Sequence, residues 1–243
     1  PNLVIAFCNA YACRRLTLYY HNYNYGGLLQ AYALQKAITR LGYQAEQISY
    51  KLESGYDGWN PVKASIKKPV AYLYHRAKYR KWFDQYTVRR KKFEVFAETI
   101  PHTEVVTAQT IYELSNQFDC FVCGSDQIWN PIYGGLSDLD LLTFTQKKKI
   151  AISASFGIEE IPLDYKGRVE QYISKFDAIS VREEAAKSII ERITNRQDVE
   201  VLIDPTMMLQ KEEWDRIVKK PKEMLPDKYI VCYFLGTETM EYI

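Results

Sequence analysis

LTLYYHNYNYGGLLQAYALQKAITRLGYQAEQISY, residues 16–50, decides the fold class. Leu16 to Tyr20 is apolar and β-prone and predicts a strand. Gly26 and Gly27 follow within a few residues. Leu28, Leu29, Tyr32, Ala33, Lys36, Ala37 and Leu41 then recur at helical spacing, and Gly42 marks the stop. Gln44 to Tyr50 predicts a second strand. Strand, glycine turn, helix and strand make one βαβ unit.

The pattern repeats downstream. Phe118 to Cys123 predicts a strand that Gly124 ends, and Ile150 to Ala154 a strand ending at Ser155 and Gly157. Tyr165 to Phe176 predicts a helix, Ala178 to Val181 a strand and Glu183 to Arg192 a helix. Val199 to Ile203 predicts a strand stopped by Asp204-Pro205, and Lys211 to Lys219 a short helix. Pro221 and Pro226 bracket a polar connector before a strand at Tyr229 to Leu235, which reads as the opening of a second domain. The expectation is an α/β fold, a Rossmann-like parallel sheet with helices on both faces. The first domain spans 15–225, and 226–243 begins a truncated second one.

Composition agrees. The chain has 243 residues, 47% hydrophobic and 26% charged, which excludes a disordered chain, a collagen and a coiled coil. No apolar run approaches the ~20 residues of a membrane span. Leu3 to Ala12 lacks a cationic lead and is followed by Arg14-Arg15, so it does not read as a signal peptide. The five cysteines, Cys8, Cys13, Cys120, Cys123 and Cys232, form no disulfide framework and fit a reducing cytoplasm. Cys120 and Cys123 lie three apart inside a strand, on opposite faces, and do not chelate one metal; none is expected. The 20 tyrosines suit either a glycan site or a Tyr-rich surface.

Charge is uneven. Pro61 to Lys92 holds eleven Lys or Arg against one acid, Asp84; its formal +10 leaves the rest of the chain at −8 within an overall +2. That total argues against a wholly basic nucleic-acid binder. The block, with Tyr72, Tyr74, Tyr79, Trp82, Phe83 and Tyr86, predicts a basic helical insertion over 61–100. Two readings stay open: a solvated helical face, or contact with an anionic surface such as lipid headgroups through residues 63–92.

In open α/β sheets ligands bind beyond the carboxyl ends of the strands. The residues there are polar: His21 to Gly27 after the first strand, Gly124, Ser125, Asp126, Gln127, Trp129 and Asn130 after the Phe118 strand, Ser155 and Gly157, Arg182 and Glu183, and Asp204 to Thr206. Tyr25-Gly26-Gly27 precedes a helix, where glycines admit close backbone approach and the helix start favours an anion; it is equally a tight turn. Ser125 or Asp126 either caps a helix or orients a sugar hydroxyl. Trp129 reads as core or as site. Arg182 either binds carboxylate or phosphate, or pairs with Glu183, Glu184 or another acid. The histidines, His21, His75 and His102, are scattered and assemble no triad.

Five of these stretches, in order, resemble the polysaccharide pyruvyl transferase family: His21 to Gln35 (HNYNYGGLLQAYALQ), Phe121 to Asn130 (FVCGSDQIWN), Ile150 to Gly157 (IAISASFG), Ile179 to Glu183 (ISVRE) and Asp204-Pro205-Thr206. Tyr229 to Gly236 looks like the opening strand of the family's second domain. The resemblance implies half of a two-domain architecture like that of GT-B glycosyltransferases. It implies transfer of pyruvate from phosphoenolpyruvate onto a sugar of a cell-surface glycan, as a ketal, with release of phosphate and no further cofactor. The acceptor would be a glycan or lipid-linked oligosaccharide, and the enzyme cytoplasmic or peripheral at the inner membrane face. Arg182 matches the family's arginine and is implied to be catalytic. Asn22, Asn24, Tyr25, Gly26, Gly27, Gln30, Gly124, Ser125, Asp126, Gln127, Trp129 and Ser155 are implied to bind substrate. The family's catalytic histidine belongs to the second domain, so this fragment is expected to be inactive alone. Residues 1–14 have no counterpart and are expected to be an extension or cloning remnant. A nucleotide-sugar glycosyltransferase and a non-catalytic module docking to an anionic surface or glycan are the alternatives.

Overall fold

The computed structural model describes residues 4–8, 24–50, 73, 77, 80–132, 136–219 and 224–230, with side chains at all of these except 4, 6–8, 81–83, 85 and 86. The chain divides into two compact units, residues 1–209 and 210–243.

The first unit is built on six strands: β1 (Val4–Cys8), β2 (Gln44–Gln47), β3 (Cys120–Cys123), β4 (Lys148–Ala154), β5 (Ala178–Val181) and β6 (Val199–Val201). Their order is β2-β1-β3-β4-β5-β6, and every neighbouring pair is parallel. Gln47 also bridges His102, and Tyr50 bridges Val106, both in parallel. Residues 102–106 therefore extend the row beyond β2. The row then runs third, second, first and onward in chain order, as in doubly wound Rossmann-like sheets. The order reverses between β1 and β3, and the crevice outside their carboxyl ends is the ligand position of such sheets.

Burial explains why the strands read as apolar runs. Cys120, Phe121, Val122 and Cys123 are all buried, as a strand covered on both faces requires. Phe121 and Cys123 enter the main core with Trp129, Phe156, Ile173, Ile189 and Ile190, whereas Cys120 and Val122 point the other way. Neither cysteine is in a disulfide. Burial pushes the Cys120 thiol up to about 11, so it stays protonated near neutral pH.

Among the described residues the longer helices of this unit are α1 (Tyr25–Arg40), α2 (Arg80–Ala97), α3 (Leu163–Ile173) and α4 (Glu184–Thr194). In α4 the buried Ala186, Ile189, Ile190 and Ile193 follow i, i+3, i+4, i+7 spacing, and Asn195 ends the helix in the left-handed region at φ 58°. Each fully buried isoleucine contributes about 1.5–3 kcal/mol, so a charge at Ile190 would detach this helix from the core. Among the described residues no helix is long and apolar enough to cross a membrane.

Several boundaries differ from expectation. The strand expected at Leu16 to Tyr20 lies outside the described residues. The strand position before α1 is held by Val4–Cys8, inside the segment 1–14 that the sequence reading set apart; its apolar VIAFC pairs with β2 on one side and β3 on the other. Helix α1 starts at Tyr25, so Gly26 and Gly27 form its first turn rather than a turn ahead of it. The reason is Asn24, whose Oδ1 accepts the Gly27 N–H at 2.9 Å and caps the helix. The first unit ends at Leu209, ahead of the expected boundary at 225. Leu209 is buried, whereas helix α5 (Lys211–Asp215) of the second unit buries nothing; it starts with a capping box in which Glu213 accepts the Gln210 N–H at 2.8 Å. The expected strand at Tyr229 falls outside the described residues from 231 onward.

Candidate functional site

The carboxyl ends of β3 to β6 are stitched into one polar rim. The Asp126 carbonyl accepts the Ser155 N–H (2.9 Å), the Ala154 carbonyl the Arg182 N–H (3.0 Å) and the Val181 carbonyl the Leu202 N–H (2.9 Å). Two side chains reach further. Ser153 Oγ donates to the Ile203 carbonyl at 2.7 Å, and Ser125 Oγ donates to Asp204 Oδ2 at 2.7 Å.

Local geometry makes this close approach possible. β4 shifts register between Ala151 and Ala154, and Ser153 lies in the left-handed region at φ 48°. Such bulges re-aim a strand end. Ser153 N–H donates to Ser180 Oγ (3.0 Å), which donates to the Ala151 carbonyl (3.1 Å), so the bulge is hydrogen-bonded throughout. Gly124 has φ 106°, and a Cβ there would lie 2.2 Å from the Ile152 carbonyl oxygen. Gly157 has φ 62°, and its Cβ would lie 2.4 Å from the Gln127 side chain. No other residue fits either place without displacing a neighbour.

Arg182 is the centre of the rim's charge. Its Nη1 lies 3.5 Å from Asp126 Oδ1 and 3.4 Å from Asp204 Oδ2, and its Nε 3.8 Å from Glu183 Oε2. One cation thus faces three carboxylates. The ion-pair alternative for Arg182 is therefore realised, with two remote acids as well as its neighbour. The Arg182 side chain remains 31% exposed.

The two aspartates differ. Burial pushes the Asp126 carboxyl above the ordinary range, outweighing the pull of Arg182. Burial would raise Asp204 too, but hydrogen bonds from Ser125 Oγ and from the Thr206 N–H and hydroxyl, with the Arg182 charge, hold it below that range. Of the two aspartates, Asp126 therefore takes up a proton before Asp204. The rim thus sets a partly exposed arginine beside a carboxyl whose proton affinity burial raises.

The structure distributes the remaining predicted residues as follows. Ser125 and Ser155 are buried within the rim; Ser125 Oγ also accepts the Asp126 N–H at 2.6 Å, and Ser155 Oγ accepts the Gly157 N–H at 3.0 Å. Gln127 Oε1 accepts from Asn130 Nδ2 at 2.9 Å. Trp129 is corrected from substrate contact to core: it is 0% exposed, packs against Phe156 and Phe176, and donates Nε1–H to the Asp140 carbonyl at 3.0 Å. Asn24 caps α1, and the Tyr25 ring stacks on Phe93 of α2 at 4.6 Å. Gln30 is 3% exposed with its Oε1 unpartnered. Asn22, His21 and His75 lie outside the described residues. His102 lies in the extra strand, with Nδ1 3.3 Å from Ser49 Oγ. Among the described residues no three His, Cys, Asp or Glu side chains are grouped to hold a metal ion.

Asp204 was not singled out from the sequence as a site residue. Its signal was an Asp-Pro-Thr directly after a strand, the pattern of a carboxylate capping a short turn, here Pro205–Met207.

Fold and rim together define a Rossmann-like α/β protein with one arginine and three carboxylates gathered at the carboxyl end of its sheet. The sequence model of the polysaccharide pyruvyl transferase family matches residues 24–243, and the chain belongs to this family. Neither a curated protein nor a solved structure matches the chain.

Proposed function

We propose that the protein transfers pyruvate from phosphoenolpyruvate to a sugar of a cell-surface glycan, as a ketal, with release of phosphate. The observation that carries this reading is family membership over residues 24–243, which implies a transferase with a glycan acceptor. The Arg182–Asp126 pair supports the donor. Phosphoenolpyruvate carries a carboxylate and a phosphate, both suited to the planar guanidinium. Its methylene must gain a proton, which a raised carboxyl beside that guanidinium can supply.

The atoms balance. The methylene carbon takes a proton and becomes a methyl group. One sugar hydroxyl oxygen bonds to the central carbon, and a second closes the ketal as the carbon–oxygen bond to phosphate breaks. Of the two hydroxyl protons, one replaces that given to the methyl group and the other leaves with phosphate. Asp126 is the proton donor in this scheme, and Arg182 the anion-binding catalytic residue. Cys120 and Cys123, neither of them in a disulfide, fit a cytoplasmic reaction.

The test is phosphate release from phosphoenolpyruvate with a glycan acceptor, by the protein carrying this chain together with its second domain, read beside the ketal methyl signal in NMR. Phosphate and ketal should form in equal amounts, and Asp126→Asn and Arg182→Ala should each lower the rate by about 100-fold or more with the fold retained. A melting temperature raised by a nucleoside diphosphate but not by phosphoenolpyruvate, with sugar transfer from a nucleotide sugar, would replace this reading with that of a glycosyltransferase.

A further inference from the structure

Helix α2 rests on α1 through one face. Phe93 stacks on Tyr25, Phe96 lies 5.7 Å from Tyr32, and Ala97 and Ile100 are buried. Arg89 extends over this contact, 5.2 Å from the Tyr25 ring and 5.3 Å from the Phe93 ring. Arg90 is taken up by Glu94 at 3.1 Å. Those groups are engaged within the fold.

The outward face is different. Arg80, Val88, Lys91, Lys92 and Val95 are all exposed. Arg80 approaches Asp84 only at 4.0 Å, and Lys91 and Lys92 have no acidic partner among the described residues. Val88 and Val95, seven residues apart and so on one stripe, are 56% and 57% exposed beside these cations.

We propose that this outward face of α2 is a peripheral docking surface for an anionic lipid bilayer, with the helix lying along it. Charge complementarity is the first argument. The positive charge of the chain is concentrated in 61–92, against a net negative remainder, so attraction to an anionic surface is directed through this segment. The valines are the second. A bilayer interface receives exposed apolar side chains beside lysines that reach the headgroups, whereas nucleic-acid phosphates offer the valines nothing. The proposal is independent of the transferase reading, and its test contains neither donor nor acceptor.

The test is co-sedimentation of the full chain with phosphatidylcholine vesicles, with and without phosphatidylglycerol, at low and high salt. Binding should require phosphatidylglycerol and weaken as salt rises. Lys91→Glu with Lys92→Glu should lower affinity at least about tenfold. Val88→Ser with Val95→Ser should lower it by about threefold or more while leaving the salt dependence unchanged. Lys147→Glu with Lys166→Glu, exposed lysines elsewhere, should have less than about a twofold effect. Circular dichroism and melting temperature establish that each variant is folded. Equal binding to neutral vesicles, indifference to the Lys91 and Lys92 changes, or RNA binding that displaces the vesicles and ignores the valines would overturn the proposal.

Discussion

The rim at the carboxyl end of the sheet and helix α2 both display arginine, with opposite outcomes. At the rim, Arg182 faces Asp126 and Asp204, which lie 56 and 22 residues away along the chain. In α2 the acids near the cations, Asp84 and Glu94, come from the same helix four residues away, and among the described residues Lys91 and Lys92 find none. The difference lies in topology rather than residue type. Parallel strands deliver acids from distant segments to one edge. A single exposed helix can draw only on its own turns. Charge at the rim is therefore built into the structure, and charge on α2 is left for something outside it.

The sharpest way to break this comparison is Gly124→Ala. The new Cβ meets the Ile152 carbonyl oxygen at a positive φ, and unfolding in urea should show a loss of about 3 kcal/mol or more, while Lys91→Ala changes stability by less than about 0.5 kcal/mol. Comparable losses at the two positions would deny that the rim is the tightly built region. Next comes Asp204→Ala, which strips partners from Ser125, Thr206 and Arg182 and should destabilise by about 2–3 kcal/mol.

Acid behaviour sharpens the same contrast. Asp140, which accepts from the Ser137 N–H and hydroxyl beneath Trp129, is pushed by burial to about 6. Between its unfolded value and about 6 the folded state holds a proton that the unfolded state has lost. Its stabilising contribution is thus complete at low pH and is lost as pH rises through about 6, by about 2–3 kcal/mol in all. Denaturation followed from pH 4 to 7 should show this slope, and Asp140→Asn should flatten it. Asp204 has the opposite sign, its contribution being lost as pH falls through its depressed value. The smallest expected effect lies in α2 itself. Arg89→Ala, which removes a cation from two aromatic rings, should cost about 0.5–1 kcal/mol in a thermal melt. Lys92→Ala should lower stability by less than that.

Strands and their stops were legible because a buried parallel strand is a short apolar run ended by glycine or Asp-Pro. β5 matches its expected bounds, Ala178–Val181, for this reason. What sequence order does not encode is contact across the sheet. Trp129 stands two residues after Gln127 yet points into the core, because its indole N–H finds a carbonyl eleven residues on. The three acids around Arg182 are each visible in the sequence, but the arrival of Asp126 and Asp204 beside it depends on strand order. Val4–Cys8 was misread for a different reason: a short apolar run near a chain end looks alike whether it is a strand or an appendage, and only its pairing on both sides decides. The helix start at Tyr25 turned on one capping carboxamide three residues before Gly27.

The parallel pairing of Gln47 with His102 and of Tyr50 with Val106 places α2 in the connection between two neighbouring parallel segments. Lengthening such an excursion raises its closure entropy only logarithmically, by about 0.6 kcal/mol per doubling. Within it α2 keeps one face on α1 through Phe93 and Phe96, so its outward side chains can be retuned while the hydrogen-bonded rim on the other side of β1 keeps its geometry.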